Sequence, residues 1–220
     1  MEKETLLIDC DGVLFPESAL PIAKITQSLK NAALKIGYSA ADIKEARKKA
    51  EKNQELGLFN SIWELSGKDI ERFESICSEA FKTIDYSKII SNRKLYDLLK
   101  NASEYYNIFI ATNNHLLHFR KVFERLFEME FSDDCFITCI DITQTLDNGC
   151  FHPKQSIDGL KIFARVAKTR PEMCILLDDS SINIQRAKKI NMKSMEIGLV
   201  QNLEFCLKEL LSSQMSRIKV

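Results

Sequence analysis

Short apolar runs separated by polar stretches are the first regular feature of this sequence. Each run is nearly continuous rather than alternating, which is typical of a strand covered on both faces of a parallel sheet. We predict five buried strands from these runs, at residues 5–10, 107–112, 135–140, 173–178 and 193–198.

Helical patterns lie between the later apolar runs. Apolar side chains recur there at intervals of three and four residues, as on one face of an amphipathic helix. The helical stretches are residues 115–128, 155–168, 181–191 and 203–214. Strands that alternate with helices predict right-handed crossovers, so the fold class we expect is α/β with a doubly wound parallel sheet.

One long interval lacks any strand pattern. Residues 22–37, 39–53 and 60–82 carry helical periodicity, and Ser39 with Asp42 predicts a capping box at the start of the second stretch. We therefore predict a small all-helical cap inserted after the first strand. The expected division is a core of residues 1–15 and 92–220 and a cap of residues 16–91.

Composition excludes several classes of protein. The 220 residues contain 31 Lys plus Arg and 31 Asp plus Glu, and this balance argues against a nucleic-acid polymer as partner. No stretch approaches the ~18 apolar residues of a membrane span, and no signal segment precedes the first strand. The seven cysteines form no C-x-x-C pair. We expect a cytoplasmic protein with reduced thiols, either a monomer or a homodimer.

Polar side chains follow three of the predicted strands at the point where each strand ends. These residues are Asp9 and Asp11 after the first strand, Thr112, Asn113 and Asn114 after the second, and Asp178, Asp179 and Asn183 at and after the fourth. The carboxyl ends of parallel strands meet at one edge of the sheet, where ligands bind. We therefore expect these side chains to converge.

Four carboxylates in one crevice repel one another unless a cation binds there. Mg²⁺ fits, because it prefers oxygen ligands and is held by a few carboxylates together with substrate phosphate. A calcium-binding EF-hand loop is the alternative, but it needs a glycine at its sixth position and a late glutamate, which Asp9–Glu17 lacks.

A phosphate group also needs fixed positive charge and N–H donors. Lys154 lies in the loop His152-Pro153-Lys154, just before a predicted helix and on the approach to the fourth strand. Main-chain N–H groups that follow Asp11, starting with Gly12, are further candidates for binding phosphate oxygens.

Four motifs occur in order: D-x-D-G at Asp9, T-N at Thr112, P-K at Pro153 and D-D-S-x-x-N at Asp178. This order resembles the haloacid dehalogenase (HAD) superfamily, and the motifs extend from Asp9 to Asn183. Within it, the stretches 84–101, 111–126 and 176–198 most resemble the pyrimidine 5′-nucleotidase-like branch.

The resemblance implies a role for each motif residue. Asp9 is the expected nucleophile, forming an aspartyl-phosphate, and Asp11 is the expected acid and base, its pKa raised by nearby carboxylates. Asp9, the Asp11 main-chain carbonyl, Asp179 and Asp178 are the expected magnesium ligands. Four further residues have supporting roles. These are Thr112 as a donor to phosphate, Asn113 orienting the nucleophile and binding phosphate, Lys154 binding phosphate and offsetting negative charge, and Asn183 supporting the metal ligands.

The implied function is a Mg²⁺-dependent phosphomonoester hydrolase whose substrate is a small molecule, with nucleoside 5′-monophosphates as a candidate class. Two alternatives stay open: a phosphosugar phosphatase or mutase, and a non-catalytic binding protein on the same fold. The presence of Asp11 argues against a dehalogenase, which does without this second acid.

Other polar and aromatic residues receive structural interpretations. We expect surface or packing roles for His115, His118 and His152, because Asp11 already serves as acid and base. We expect Trp63 to lie in the core of the cap.

Overall fold

The computed structural model describes residues 3–53, 57–132, 134–198 and 202–218. Five strands form one parallel sheet in the order β3-β2-β1-β6-β7, and β4 and β5 form a separate antiparallel hairpin. The strands are β1 (Thr5–Ile8), β2 (Asn107–Ala111), β3 (Ile137–Ile140), β4 (Leu146–Asp147), β5 (Cys150–Phe151), β6 (Cys174–Asp178) and β7 (Lys193–Glu196).

Helices surround the sheet and fill the interval after β1. They are α1 (Ile22–Lys35), α2 (Ala40–Lys52), α3 (Leu58–Leu65), α4 (Ile70–Thr83), α5 (Arg93–Ser103), α6 (Leu116–Phe127), α7 (Ile157–Val166), α8 (Ser181–Lys188) and α9 (Leu203–Ile218). The predicted α/β class with a parallel sheet is confirmed. In the part of the chain that the structure describes, no helix has the length and apolar character needed to cross a membrane.

Alternate side chains of β1 face opposite layers of helices. Leu6 and Ile8 pack in a cluster with side chains of α5, α6 and α9. Leu7 packs on the other side of the sheet with side chains of α7 and α8. A strand covered on both faces must be apolar throughout, which explains the continuous run in the sequence.

Helices α1 to α4 share a hydrophobic cluster of their own, which includes Phe59, Trp63 and Phe73. Trp63 is buried there, as the sequence analysis expected. The predicted capping box is confirmed, because the Ser39 side chain accepts from the Asp42 N–H and the Asp42 carboxylate accepts from the Ser39 N–H. The division of the chain at residues 16 and 91 stays a proposal.

The β4–β5 hairpin was not predicted. Its turn residues Asn148 and Gly149 both have positive φ, at 49° and 80°, and Asn-Gly is the sequence that favours such a turn. The hairpin packs against the helical segment that follows β1. Phe151 packs against Trp63 and Phe73, and its main-chain N–H and C=O both bond to the Asn60 side chain at 2.8 Å.

Candidate active site

The crevice at the carboxyl end of the sheet forms where three neighbouring strands stop. Strand β1 pairs with β2 on one side and β6 on the other. Asp9 follows β1, Thr112 follows β2, and Asp178 is the last residue of β6. Parallel pairing therefore brings these predicted residues to one edge of the sheet, as expected.

A buried ammonium group lies between two of the carboxylates. Lys154 is fully buried, and its Nζ lies 2.7 Å from Asp9 Oδ1 and 2.7 Å from Asp178 Oδ2. Burial alone would lower the pKa of Lys154, but the charges of Asp178 and Asp9 outweigh burial and hold that pKa above its ordinary value. Lys154 is therefore a fixed positive charge beneath the crevice.

Asp9 is held by two donors on one oxygen. Its Oδ1 accepts from the main-chain N–H of Cys10 at 2.7 Å as well as from Lys154. Burial raises the pKa of Asp9 well above its ordinary value; Lys154 opposes that rise and Asp178 adds to it. Cys10 itself packs in the core below.

Asp179 comes close to the two other carboxylates because Gly12 leaves room for it. Ligand oxygens of Asp9, Asp178 and Asp179 all lie within 4.8 Å of one another. Gly12 has φ +81°, and a Cβ at this position would stand 2.1 Å from Asp179 Oδ2. Burial and the charge of Asp178 raise the pKa of Asp179. Gly12 is thus required for the position of this carboxylate.

The donor set of this cluster fits Mg²⁺. It offers three carboxylates within reach of one another, all hard oxygen ligands. Asn183 adds a buried Oδ1 that has no hydrogen-bond partner among the described residues, while its Nδ2 donates to Asp178 Oδ1 at 2.8 Å. A divalent cation would offset the repulsion among the three carboxylates, and it would give the unsatisfied Oδ1 of Asn183 a partner.

The two aspartates of the fourth motif have different surroundings. Asp178 is fully buried, and its oxygens already accept from Lys154, from Asn183 and from the main-chain N–H of Ser180. Asp179 is exposed and lines the crevice. Asp179 is therefore the better placed of the two to ligate an ion directly.

Asp11 turns its carboxylate away from this cluster. Its Oδ1 lies 2.9 Å from His118 Nε2, and its Oδ2 accepts from Asn114 Nδ2 at 3.4 Å. Burial alone would raise the pKa of Asp11, but the charge and hydrogen bond of His118 outweigh burial and lower that pKa. The expectation that neighbouring carboxylates raise this pKa is wrong, because it did not include His118.

The second motif contributes differently from what was expected. The N–H of Thr112 is bonded to the carbonyl of Ile140, and its Oγ1 accepts from the N–H of Asn114, so the hydroxyl hydrogen is what Thr112 can offer a ligand. The Asn113 side chain does not orient Asp9. It accepts from the Lys154 N–H at 2.8 Å and donates to Gln155 at 3.0 Å, which fixes the loop that carries the lysine.

The three histidines have three different roles. His118 is fully buried, so a surface role is wrong. It packs against Phe81 and Tyr86 and also bonds to Asp11. His115 packs against Phe73 and Phe81 and caps α6. His152 is half-buried beside Cys150. The only sequence signal for His118 is its place one helical turn after Asn114.

The crevice has a volume of about 380 Å³. Asp9, Asp11, Thr112 and Asp179 line its floor. Its opposite wall comes from the segment after β1 and is largely apolar. The wall residues are Glu17, Leu20, Ile22, Gly57, Leu58, Phe59 and Asn60.

Solved structures that are described as HAD family enzymes share this architecture. The HAD family enzyme bt-2542 of Bacteroides thetaiotaomicron, in complex with magnesium and inorganic phosphate, is 19% identical with a TM-score of 0.52, and the match covers 92% of this chain and 98% of that one. CbbY of Rhodobacter sphaeroides in complex with phosphate is 14% identical with a TM-score of 0.57, over 91% of this chain and 88% of that one. This chain has the HAD fold.

A variant of CbbY was also solved with xylulose-(1,5)bisphosphate, and it matches this chain with a TM-score of 0.57 and 13% identity, over 91% of this chain and 88% of that one. No protein-family model matches the sequence, and no curated protein matches it either. The likeness therefore rests on the HAD fold, and the chemistry must be argued from the side chains.

Proposed function

We propose that this protein is a Mg²⁺-dependent phosphatase that hydrolyses small phosphate monoesters through an aspartyl-phosphate on Asp9. The observation that carries the proposal is the buried, charged Lys154 held between Asp9 and Asp178 just beneath the floor of the crevice. Such an arrangement costs folding free energy, and it supplies what a transferring phosphoryl group needs, a fixed positive charge beside a carboxylate nucleophile.

The first step forms the phosphoenzyme. Both donors described for Asp9 bind Oδ1, so we assign the attack on phosphorus to Oδ2. The bond from phosphorus to the leaving oxygen breaks, and the leaving oxygen takes a proton from the protonated form of Asp11. This is the minor form in the free enzyme, because His118 lowers the pKa of Asp11. Lys154 offsets the negative charge that develops, and the Thr112 hydroxyl donates to a phosphoryl oxygen.

The second step restores the enzyme. The Asp11 carboxylate takes a proton from water as that water attacks phosphorus, and the bond between phosphorus and Asp9 breaks to release inorganic phosphate. Asp9, Asp179 and the main-chain carbonyl of Asp11 would hold Mg²⁺, with Asp178 and Asn183 in support. When bound, Mg²⁺ offsets the charge of the carboxylates and aligns the phosphoryl group.

We also propose that residues 16–91 act as a cap that selects the substrate, because this segment forms the wall opposite Asp9. Apolar Leu20, Ile22 and Phe59 of this wall favour a leaving group with an apolar face. No described residue that lines the crevice is a lysine or an arginine, and residues 54–56 in the sequence are Gln, Glu and Leu. Among the described residues that line the crevice, a second phosphate would therefore find no countercharge.

This charge pattern supports a monophosphate with an uncharged leaving group, such as a nucleoside 5′-monophosphate in the manner of the pyrimidine 5′-nucleotidase-like branch. A phosphate-release screen should therefore rank nucleoside monophosphates above hexose phosphates, and both above sugar bisphosphates. Highest activity on a bisphosphate would contradict this substrate class. Conversion of a hexose phosphate into its isomer without release of phosphate would indicate a mutase instead.

The chemistry is tested with p-nitrophenyl phosphate. We expect turnover that requires Mg²⁺ and stops with a chelator, and formation of an acid-stable, hydroxylamine-sensitive phosphoprotein at Asp9. Calorimetry provides an independent measurement, since Mg²⁺ should bind the wild type and bind weakly to Asp179→Asn. Turnover without metal would overturn the proposal.

A further inference from the structure

A buried line of polar groups reaches Asp11 from the side away from the crevice. Tyr86 Oη lies 3.2 Å from His118 Nδ1, and His118 Nε2 lies 2.9 Å from Asp11 Oδ1. His118 is fully buried and Tyr86 is half-buried. Buried polar groups in such a chain hold one another in fixed orientations.

The direction of these hydrogen bonds follows from the chemistry of the groups. An ionised carboxylate only accepts, so Nε2 carries a hydrogen and donates it to Asp11. Burial raises the pKa of Tyr86 above its ordinary value of 10. The phenol therefore keeps its hydrogen at neutral pH, and its oxygen can accept from Nδ1 of a protonated imidazole or donate to Nδ1 of a neutral one. In both states Nε2 carries a hydrogen toward Asp11.

The imidazole has little freedom to rotate. The ring of Phe81 in α4 lies 5.7 Å from it and the ring of Tyr86 also lies 5.7 Å from it. His118 itself belongs to α6, a regular helix that begins just after the end of β2. A donor on a rigid, packed element can hold a carboxyl group more narrowly than a donor on a loop.

The contacts distinguish the two oxygens of Asp11. Oδ1 faces the buried imidazole, and Oδ2 is approached only by Asn114 Nδ2, at a long 3.4 Å, among the bonds described for it. Oδ1 accepts from His118 whether Asp11 is ionised or protonated. In the protonated form the carboxyl hydrogen must therefore reside on Oδ2. Oδ2 is then the atom that gives and takes the proton.

We propose that His118, braced by Tyr86, is a positioning residue that fixes which oxygen of Asp11 exchanges the proton with the leaving group and with water. This inference rests on the proposed function of Asp11. Proton transfer by a side chain requires a heavy-atom distance within hydrogen-bond reach of the reacting oxygen. A carboxyl group free to rotate would spend only part of its time in that geometry, while phosphate binding would be unaffected.

The test compares two esters that differ in their need for an acid. The leaving p-nitrophenolate departs without a proton, whereas the alkoxide of propyl phosphate needs one. For this reaction kcat/KM reports the steps up to departure of the leaving group. We expect His118→Leu to lower kcat/KM about 10- to 100-fold for propyl phosphate and less than threefold for p-nitrophenyl phosphate.

Three further variants keep the comparison sharp. His118→Gln retains an N–H donor and should recover most of the lost activity on propyl phosphate. Tyr86→Phe removes only the brace and should give about a two- to fivefold loss on the same ester. His115→Gln is the matched control, because His115 is a buried histidine of the same helix region that bonds to Glu74 and not to Asp11; it should leave the ratio of the two esters unchanged.

Equal losses on both esters, or an unchanged ratio in folded His118→Leu and Tyr86→Phe, would overturn the positioning role while leaving the phosphatase proposal intact. If the wild type hydrolyses neither ester, the proposed function is wrong and the role of His118 falls with it. Circular dichroism and the thermal midpoint Tm of each variant establish the folded fraction, so a folding defect cannot imitate a change in the ratio.

Discussion

Charged side chains in the crevice and charged side chains on helix α2 are of the same residue types but lie in opposite surroundings. Lys154 and Asp178 are fully buried and touch each other, whereas Arg47 and Glu51 pair on the surface of α2 with both side chains more than half exposed. An exposed pair contributes little to stability and costs little. Burying an ion pair costs desolvation free energy that the pairing rarely recovers.

The contrast between buried and exposed charged pairs indicates which charges serve the function of the molecule. A core of well-packed apolar residues would be as stable as, or more stable than, one that contains Lys154 and two aspartates. The buried charges are therefore explained by chemistry at the crevice, and the exposed charges of α2 by solvation. Substitutions in the two regions should separate activity from stability accordingly.

The largest effect is expected for Asp9→Asn. Without a nucleophilic carboxylate the aspartyl-phosphate cannot form, and kcat should fall by about 10³-fold or more. The fold should persist, because the change removes one of several buried carboxylates that repel one another. Assays with p-nitrophenyl phosphate and a denaturation curve measure the two quantities. Wild-type turnover in this variant would remove Asp9 from the mechanism.

Lys154→Met should reduce both activity and stability. Loss of the fixed ammonium should lower kcat by about 10²- to 10³-fold. It also leaves Asp9 and Asp178 buried without their partner, which should lower the free energy of unfolding by about 3–5 kcal/mol. Urea unfolding with and without Mg²⁺ tests the cause. The metal should restore part of the lost stability, and a variant as stable as the wild type would show that the ammonium is not needed to hold the carboxylates.

Gly12→Ala should weaken metal binding more than it weakens the fold. The new Cβ would meet Asp179 Oδ2, so the carboxylate must move, and Mg²⁺ affinity measured by calorimetry should fall about 10- to 100-fold. Gly67→Ala is the matched control, because Gly67 also has positive φ, at +71°, but has nothing within 4 Å of the added Cβ. Equal metal affinity in both variants would show that the contact with Asp179 is unimportant.

The smallest effect is expected on the exposed helix. Ser39→Ala removes the side-chain acceptor of the α2 capping box and should lower the free energy of unfolding by about 1 kcal/mol, with kcat unchanged. The measurement is urea unfolding beside a p-nitrophenyl phosphate assay. A loss of activity greater than twofold would link α2 to the crevice and break the comparison between the two regions.

The loss of unfolding free energy in Ser39→Ala depends on pH, and the direction of that dependence follows from the pKa of Asp42. Hydrogen bonds from Ser39 lower the pKa of Asp42 below its ordinary value of 3.8. A carboxyl group with a lowered pKa in the folded state stabilises the fold above the unfolded pKa and loses that contribution as the pH falls through the folded pKa. The difference between Ser39→Ala and the wild type should therefore be full at neutral pH and shrink below about pH 4.

The fold and the floor of the crevice could be predicted from the sequence because both depend on local pattern. Continuous apolar runs predict β1, β2 and β6, and the polar residues that end those strands must meet. The surroundings of Asp11 could not be predicted in this way. His118 reaches Asp11 because α6 packs near the end of β2. The residue spacing does not predict which face of that helix turns toward Asp11.

Two other differences between expectation and structure have separate causes. The β4–β5 hairpin was missed although Asn148-Gly149 is a turn sequence, because its two-residue strands are too short to show a period. Asn113 was expected to orient Asp9, and its side chain accepts instead from the main-chain N–H of Lys154. The choice depends on how the loop before α7 approaches β2, which is a matter of tertiary packing.

The paired hydrogen bonds between Asn60 and Phe151 couple two parts of the molecule that the chain order keeps apart. Helix α3 carries part of the wall of the crevice, and Phe151 stands three residues before Lys154. If α3 swings outward to admit a substrate, it must either break both bonds or draw strand β5 with it. These bonds would transmit a displacement of α3 to the strand that leads to Lys154.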